Sequence, residues 1–253
     1  MLICLTGLHK AGKSYFSFES GIPQKEGFNV FNKKHIVTDL CVQYYAKMGI
    51  DIIDKIKTEN PYFNKDEYSE ILWNFCNKWY GQMMAQNAYT ITNSIIEYIE
   101  NKLGSLTKNR VILDAVHNNK EWEIIHEIVP ESGLLLFATP YDVRESRSVD
   151  KDNVFKQNLK RINFWCKDSS LPPLPYMALG TIDGSKSPEE IKSSFNCYID
   201  QLRLSFDAKQ TQEMNFISPL DLKLKSLMSE NELLAIENAN LRNKEKRKED
   251  LVM

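Results

Sequence analysis

The sequence predicts an α/β protein built on a parallel, doubly wound sheet flanked by helices, with a C-terminal coiled-coil helix. Three observations lead there. Short apolar runs without alternation, such as Leu2-Ile3-Cys4-Leu5 and Val111-Ile112-Leu113, read as strands covered on both faces. These runs alternate with stretches of helical period, which implies parallel strands joined by helical crossovers. Beyond Pro219, Leu220, Leu227, Leu234 and Leu241 fall seven residues apart, a heptad pattern.

The first strand runs directly into Gly7-Leu8-His9-Lys10-Ala11-Gly12-Lys13-Ser14, and a helix is expected from Lys13. This segment matches GxxxxGK[ST] in the strand-then-helix context that the motif requires, so a P-loop is expected, binding the phosphates of a nucleoside triphosphate. Its glycines let the backbone curl so that successive N–H groups, from Gly7, His9, Lys10, Ala11 and Gly12 onward, face phosphate oxygens at the positive end of a helix dipole. Lys13 would reach the β and γ phosphates, and Ser14 would offer its hydroxyl to Mg²⁺.

A second extended stretch, Gly27 to Ile36, leads to Asp39 at an expected strand-to-helix junction, after which Leu40, Tyr44, Tyr45 and Met48 recur at helical spacing. There a carboxylate either orients an acceptor hydroxyl or caps the helix that follows. Residues 65 to 103 carry apolar positions suited to two or three packed helices. Arg110 to Asp114 reads as a strand closed by an acid, and Asp114 stands where a Walker-B acid would hold hydrated Mg²⁺, or serves as a turn aspartate. A helix over Glu121 to Val129 and a strand over Leu134 to Thr139 follow. Arg144 and Arg147 come just after that strand, where ligands bind in such sheets, and are expected to stabilise charge on a transferring phosphoryl group. Lys151, Lys156, Lys160 and Arg161 continue the basic run as the rest of a lid over about 141 to 166. Tyr176 to Ile182 reads as the last strand. Ser187-Pro188-Glu189-Glu190 opens a helix with a hydroxyl cap, proline in the first turn and acids at its positive end.

The organisation expected is a domain over 1–206, with a helical acceptor-side region at about 40–103, a linker over 207–219, and a coiled-coil helix over 220–250. With the heptad leucines at d, Leu224, Asn231 and Asn238 fall at a, and asparagines at a favour two-stranded pairing. A parallel homodimer is the preferred reading, and a helix folded back on its own domain is the alternative. The basic residues of 242 to 248 follow the leucines rather than precede them, which argues against a DNA-binding zipper.

A net charge of −2 over 253 residues gives no general attraction to nucleic acid, and 42% hydrophobic with 26% charged residues is ordinary globular composition. The five cysteines lie far apart without metal-ligand spacing, as expected for reduced thiols in a cytoplasmic protein. The opening apolar run is too short for a signal peptide, and no stretch is long enough to cross a bilayer.

Together, Thr6 to Ser14, Asp39, Val111 to Asp114, and Arg144 with Arg147 make the first 206 residues or so resemble small P-loop kinases, the nucleoside monophosphate kinase and dephospho-coenzyme A kinase group. The segment from Ile112 to Glu123 is similar to the part of dephospho-coenzyme A kinase-like proteins where a strand-end DGxR precedes an acidic helix, with His117 in place of the arginine. The resemblance implies a P-loop NTPase fold, ATP as donor, Mg²⁺ as cofactor and a nucleotide-like acceptor. In that reading Lys13, Asp39, Arg144 and Arg147 are the catalytic set. The leucine repeat departs from that compact group.

Overall fold

The computed structural model describes residues 1–59, 68–209 and 231–239. Five parallel strands form one sheet in the order β2-β3-β1-β4-β5: β1 (Leu2–Gly7), β2 (Asn29–Asn32), β3 (Val111–Asp114), β4 (Ser132–Ala138) and β5 (Gly180–Asp183). Register runs Leu2 beside Val111 on one side and beside Ser132 on the other, so all carboxyl ends share one edge. The chain steps from β1 outward to β2, returns to β3, and crosses β1 to reach β4. The crevice at the end of β1 is therefore where ligands bind in such sheets.

Side-chain alternation divides the core. Leu2, Cys4, Val111, Leu113, Leu134 and Leu136 face one side and pack with α2 (Lys33–Lys47), α4 (Tyr68–Leu103), α5 (Asn119–Ile128) and α7 (Lys151–Trp165). Ile3, Leu5, Ile112, Leu135 and Phe137 face the other, covered by α8 (Pro188–Lys209) and by Phe16 and Phe28, whose rings lie 4.9 and 5.5 Å from that of Phe195. Two buried faces explain why the strands lack alternation in sequence.

Several boundaries move. The second strand ends at Asn32, because Asn32 Oδ1 accepts from Lys34 N–H at 2.9 Å and starts α2 there. Residues 68 to 103 are two helical stretches that meet at a kink at Asn87, whose φ of −155° and ψ of 86° are not helical, in keeping with the two or three helices expected; α4 names both. The stretch from Tyr176 contributes only Gly180–Asp183 to the sheet, since Leu174–Met177 form a 3₁₀ turn. The start expected for α8 holds: Ser187 Oγ accepts from Glu190 N–H at 3.3 Å while Glu190 Oε2 accepts from Ser187 N–H at 3.0 Å, a capping box.

Most of the expected coiled coil, including Leu220, Leu224, Leu227 and Leu241, lies outside the described residues. Residues 231–239 are helical and fold back on the domain. Glu232 and Ile236 are fully buried and Leu233 and Ala235 half-buried, whereas Leu234, expected at d, is 52% exposed.

Candidate functional site

The Gly7–Ser14 loop leaves β1 and enters a short helix that widens into a π-type turn over Tyr15–Glu19. Its course depends on close approach. Gly7 has φ of +151° and a Cβ there would overlap Phe137 O; a Cβ at Gly184, just past β5, would overlap Ala11 O. Lys10 has φ of +63°, strained for a residue with a side chain. The loop is pinned from outside by Thr139 Oγ1, which donates to Ala11 O at 3.0 Å, and by Asn158 Oδ1, which accepts from His9 N–H at 3.0 Å.

The loop borders a cleft of about 700 Å³ at the carboxyl edge of the sheet. That size suits a small-molecule ligand, roughly 300–1,000 Å³ being usual. All of His9, Lys10, Ala11, Gly12, Lys13 and Ser14 line it, joined by Asp114, His117, Arg147, Arg161 and Lys186. Among its lining residues Lys10, Lys13, Arg147, Arg161 and Lys186 outnumber Glu19 and Asp114, so the cleft is net positive on a chain of net charge −2. Such a concave, cationic surface attracts a polyanion.

Lys13 Nζ donates to Gly7 O at 3.0 Å and Leu8 O at 3.2 Å. Burial, then the nearby Arg161, push its ammonium down to about 7, with Asp114 opposing. Burial likewise pushes the Asp114 carboxyl up against the pull of Lys13 and Arg161, and brings Arg161 down to about 10. Among the described residues Asp114 Oδ1 and His117 Nδ1 are buried without a hydrogen-bond partner. Ammonium, guanidinium and carboxylate thus sit together partly desolvated with valence to spare, an arrangement that an incoming anion and cation would complete.

Two of the expected site residues fall elsewhere. Asp39 is not at a strand end: it lies two turns into α2, exposed, accepting from Tyr98 OH at 2.5 Å. The reason is the early stop of β2 at Asn32. Arg144, in α6 (Tyr141–Ser146), is fully buried and does not line the cleft. Its Nη2 donates to Glu232 Oε2 at 2.6 Å and its Nε to Thr139 O at 2.8 Å. Arg147 stays at the cleft mouth, donating to Lys10 O at 3.3 Å and Gly184 O at 2.9 Å. Arg161, expected only as part of the basic run, lines the cleft together with Lys13 and Asp114 and acts on the charge of both. Its signal was the phase of α7: Val154, Asn158, Ile162 and Trp165 form the buried stripe, and Arg161 borders it.

No group of three or more His, Cys, Asp or Glu stands together to hold a metal among the described residues, and no helix there is long and apolar enough to cross a membrane. Among solved structures, the chain is similar to a shikimate kinase from Aquifex aeolicus (15% identity, 81% of this chain and 99% of that one, TM-score 0.40). It is similar also to a protein from Thermus thermophilus (13%, 80% and 97%, TM-score 0.49) and to a sugar kinase from a Janibacter species (11%, 79% and 94%, TM-score 0.39). No protein-family model matches the chain, and no curated protein matches it.

Proposed function

We propose that the chain transfers the γ-phosphoryl group of ATP to a nucleotide-like small molecule, a nucleoside or deoxynucleoside monophosphate or a dephospho-coenzyme A-like acceptor. One observation carries the reading: the glycine-rich loop, Lys13, Asp114 and Arg161 converge on one cationic cleft at the carboxyl edge of a parallel sheet.

The N–H groups of His9 and Ala11, expected to face phosphate, donate instead to Asn158 Oδ1 and Leu8 O, so the loop's other N–H groups and the start of the helix at Lys13 would hold the β and γ phosphates. Lys13 would exchange its contacts to Gly7 O and Leu8 O for phosphate oxygens, regaining its charge as it does so. Arg161 takes the part expected of Arg144, facing charge on the transferring group from the lid side with paired donors. Arg147 presents its guanidinium at the cleft mouth beside Gly184, Lys186 and Pro188, a place for a planar base.

Asp114 and Ser14 fit Mg²⁺: one offers a buried carboxylate oxygen lacking a partner, the other an exposed hydroxyl, both on the cleft. Mg²⁺ needs only one or two protein ligands when phosphates and water supply the rest. Bound there, it would neutralise charge on the phosphate oxygens. His117, whose Nδ1 has no partner among the described residues, is the cleft side chain nearest in sequence to Asp114 able to face an acceptor hydroxyl.

Incubation with ATP, Mg²⁺ and a panel of nucleoside monophosphates and dephospho-coenzyme A tests this. Acceptor-dependent ADP release that Lys13→Ala abolishes is expected. Unchanged turnover in that variant sinks the reading, and slow hydrolysis indifferent to every acceptor points instead to a nucleotide-dependent switch.

A further inference from the structure

Three buried polar side chains outside the cleft form one connected set. Arg144, Asn158 and Glu232 are each wholly excluded from solvent. Glu232 Oε2 accepts from Arg144 Nη2 at 2.6 Å, and Glu232 Oε1 accepts from Asn158 Nδ2 at 2.9 Å. Asn158 Oδ1 in turn accepts from His9 N–H at 3.0 Å. On the other side Arg144 Nε donates to Thr139 O at 2.8 Å, and Thr139 Oγ1 donates to Ala11 O at 3.0 Å. A ring of hydrogen bonds therefore closes through the carboxylate of Glu232 onto His9 and Ala11, the two residues that flank Lys10. Lys10 is the loop residue held at a φ of +63°. Such a conformation persists only where the surroundings over-determine it, and the ring supplies that constraint.

A stability role alone explains the arrangement poorly. A buried ion pair adds little to folding compared with apolar groups of the same size, because both charges lose their water. The anchoring of 231–239 is already provided by Ile236, which is fully buried in the core. What Glu232 adds is direction: each carboxylate oxygen fixes one arm of the ring.

We propose that Glu232 is a positioning residue for the phosphate-binding loop, so that the 231–239 helix is a working part of the nucleotide site. This rests on the reading that Gly7–Ser14 binds a triphosphate.

The test uses the full chain and compares the wild type with Glu232→Gln, with Asn158→Ala, which cuts the arm to His9 but leaves the ion pair, and with Ile95→Ala, a core truncation on α4 that touches no ring member. Amide hydrogen exchange of the 7–14 segment and the Kd for ATP are read beside the melting temperature. Glu232→Gln is expected to speed loop exchange and weaken ATP binding by about tenfold, with Asn158→Ala following in direction. Ile95→Ala is expected to lower the melting temperature while changing neither. Should Glu232→Gln fail to fold, Glu232→Asp, which keeps the charge but draws the carboxylate back from Arg144 and Asn158, carries the same decision. Loop exchange and ATP affinity within about twofold of wild type in the folded ring variants, or changes that Ile95→Ala reproduces, would overturn the proposal. Lys13→Ala separates the two ideas: if it binds ATP like the wild type, the triphosphate reading fails, whereas loop exchange in the ring variants still decides whether Glu232 positions the loop.

Discussion

Two clusters of buried charge lie at the same edge of the sheet and are finished differently. In one, Lys33 at the start of α2 donates to both oxygens of Glu121, at 2.8 and 2.7 Å, while Tyr80 OH donates to Oε1 at 2.8 Å. Lys33 also lies 4.9 Å from the centroid of the Tyr80 ring. In the other, Lys13 falls back on carbonyls of its own loop, and Asp114 Oδ1 has no partner among the described residues. The first cluster satisfies itself and ties α2, α4 and α5 together. The second is left incomplete toward a cleft, which is how a fold holds a place for a ligand at some expense to its own stability.

The sharpest way to break this contrast is to remove one carboxylate from each cluster. Glu121→Ala strands a buried lysine and is expected to cost about 3–5 kcal/mol in urea unfolding, with ATP affinity of the folded protein unchanged. Asp114→Asn replaces a carboxylate whose ionisation burial already opposes, so stability should hold or rise while phosphoryl transfer is lost. If Glu121→Ala leaves stability intact but abolishes ATP binding, the two clusters have been assigned the wrong way round.

A smaller effect is expected at Arg161. Arg161→Ala should lower kcat by about 10²-fold, roughly 2.7 kcal/mol, with little change in melting temperature, because this guanidinium is desolvated and points at the cleft. Steady-state kinetics with the best acceptor of the panel check it. A variant with full kcat would return the lid role to Arg147.

The pH dependence of the unliganded protein is smaller still. Lys13 is held at about 7, below the ordinary lysine value, so between that pH and about 10 the unfolded chain binds the extra proton and stability rises with pH. Lys13→Met should remove this slope and stabilise the unliganded protein at pH 7 by about 2 kcal/mol, allowing for water in the cleft. Denaturant unfolding at pH 7, 8 and 9 measures both, and a slope that survives the substitution assigns the proton to another group.

What could be read from sequence follows the range of the signals. The loop, β1, β3 and the start of α8 depend on residues within a few positions of one another, and each stands where expected. Arg144 depends on Glu232, 88 residues further on, and no local pattern foretells that pairing. Arg161 is an intermediate case: the buried stripe of α7 was present in the sequence, but four basic residues in one run hide which of them the helix phase turns inward.

Asp39 shows the same limit at its smallest scale and gives the weakest of the expected effects. A single local event, the capping of α2 by Asn32, ended the strand four residues before Ile36 and carried Asp39 onto an exposed helical turn. Its bond from Tyr98 OH lies at the surface, between an exposed carboxylate and a half-buried tyrosine, and pushes the tyrosine hydroxyl up to about 12. An exposed contact of that kind contributes little, because water replaces either partner. Asp39→Asn is therefore expected to change stability by less than about 0.5 kcal/mol and to leave kcat and KM at wild-type values. The one group that should respond is Tyr98, whose hydroxyl would titrate nearer its ordinary value, seen by ultraviolet absorbance on raising the pH. A large fall in kcat with the fold intact would place Asp39 beside the acceptor after all, and would require α2 to move toward the cleft when substrate binds.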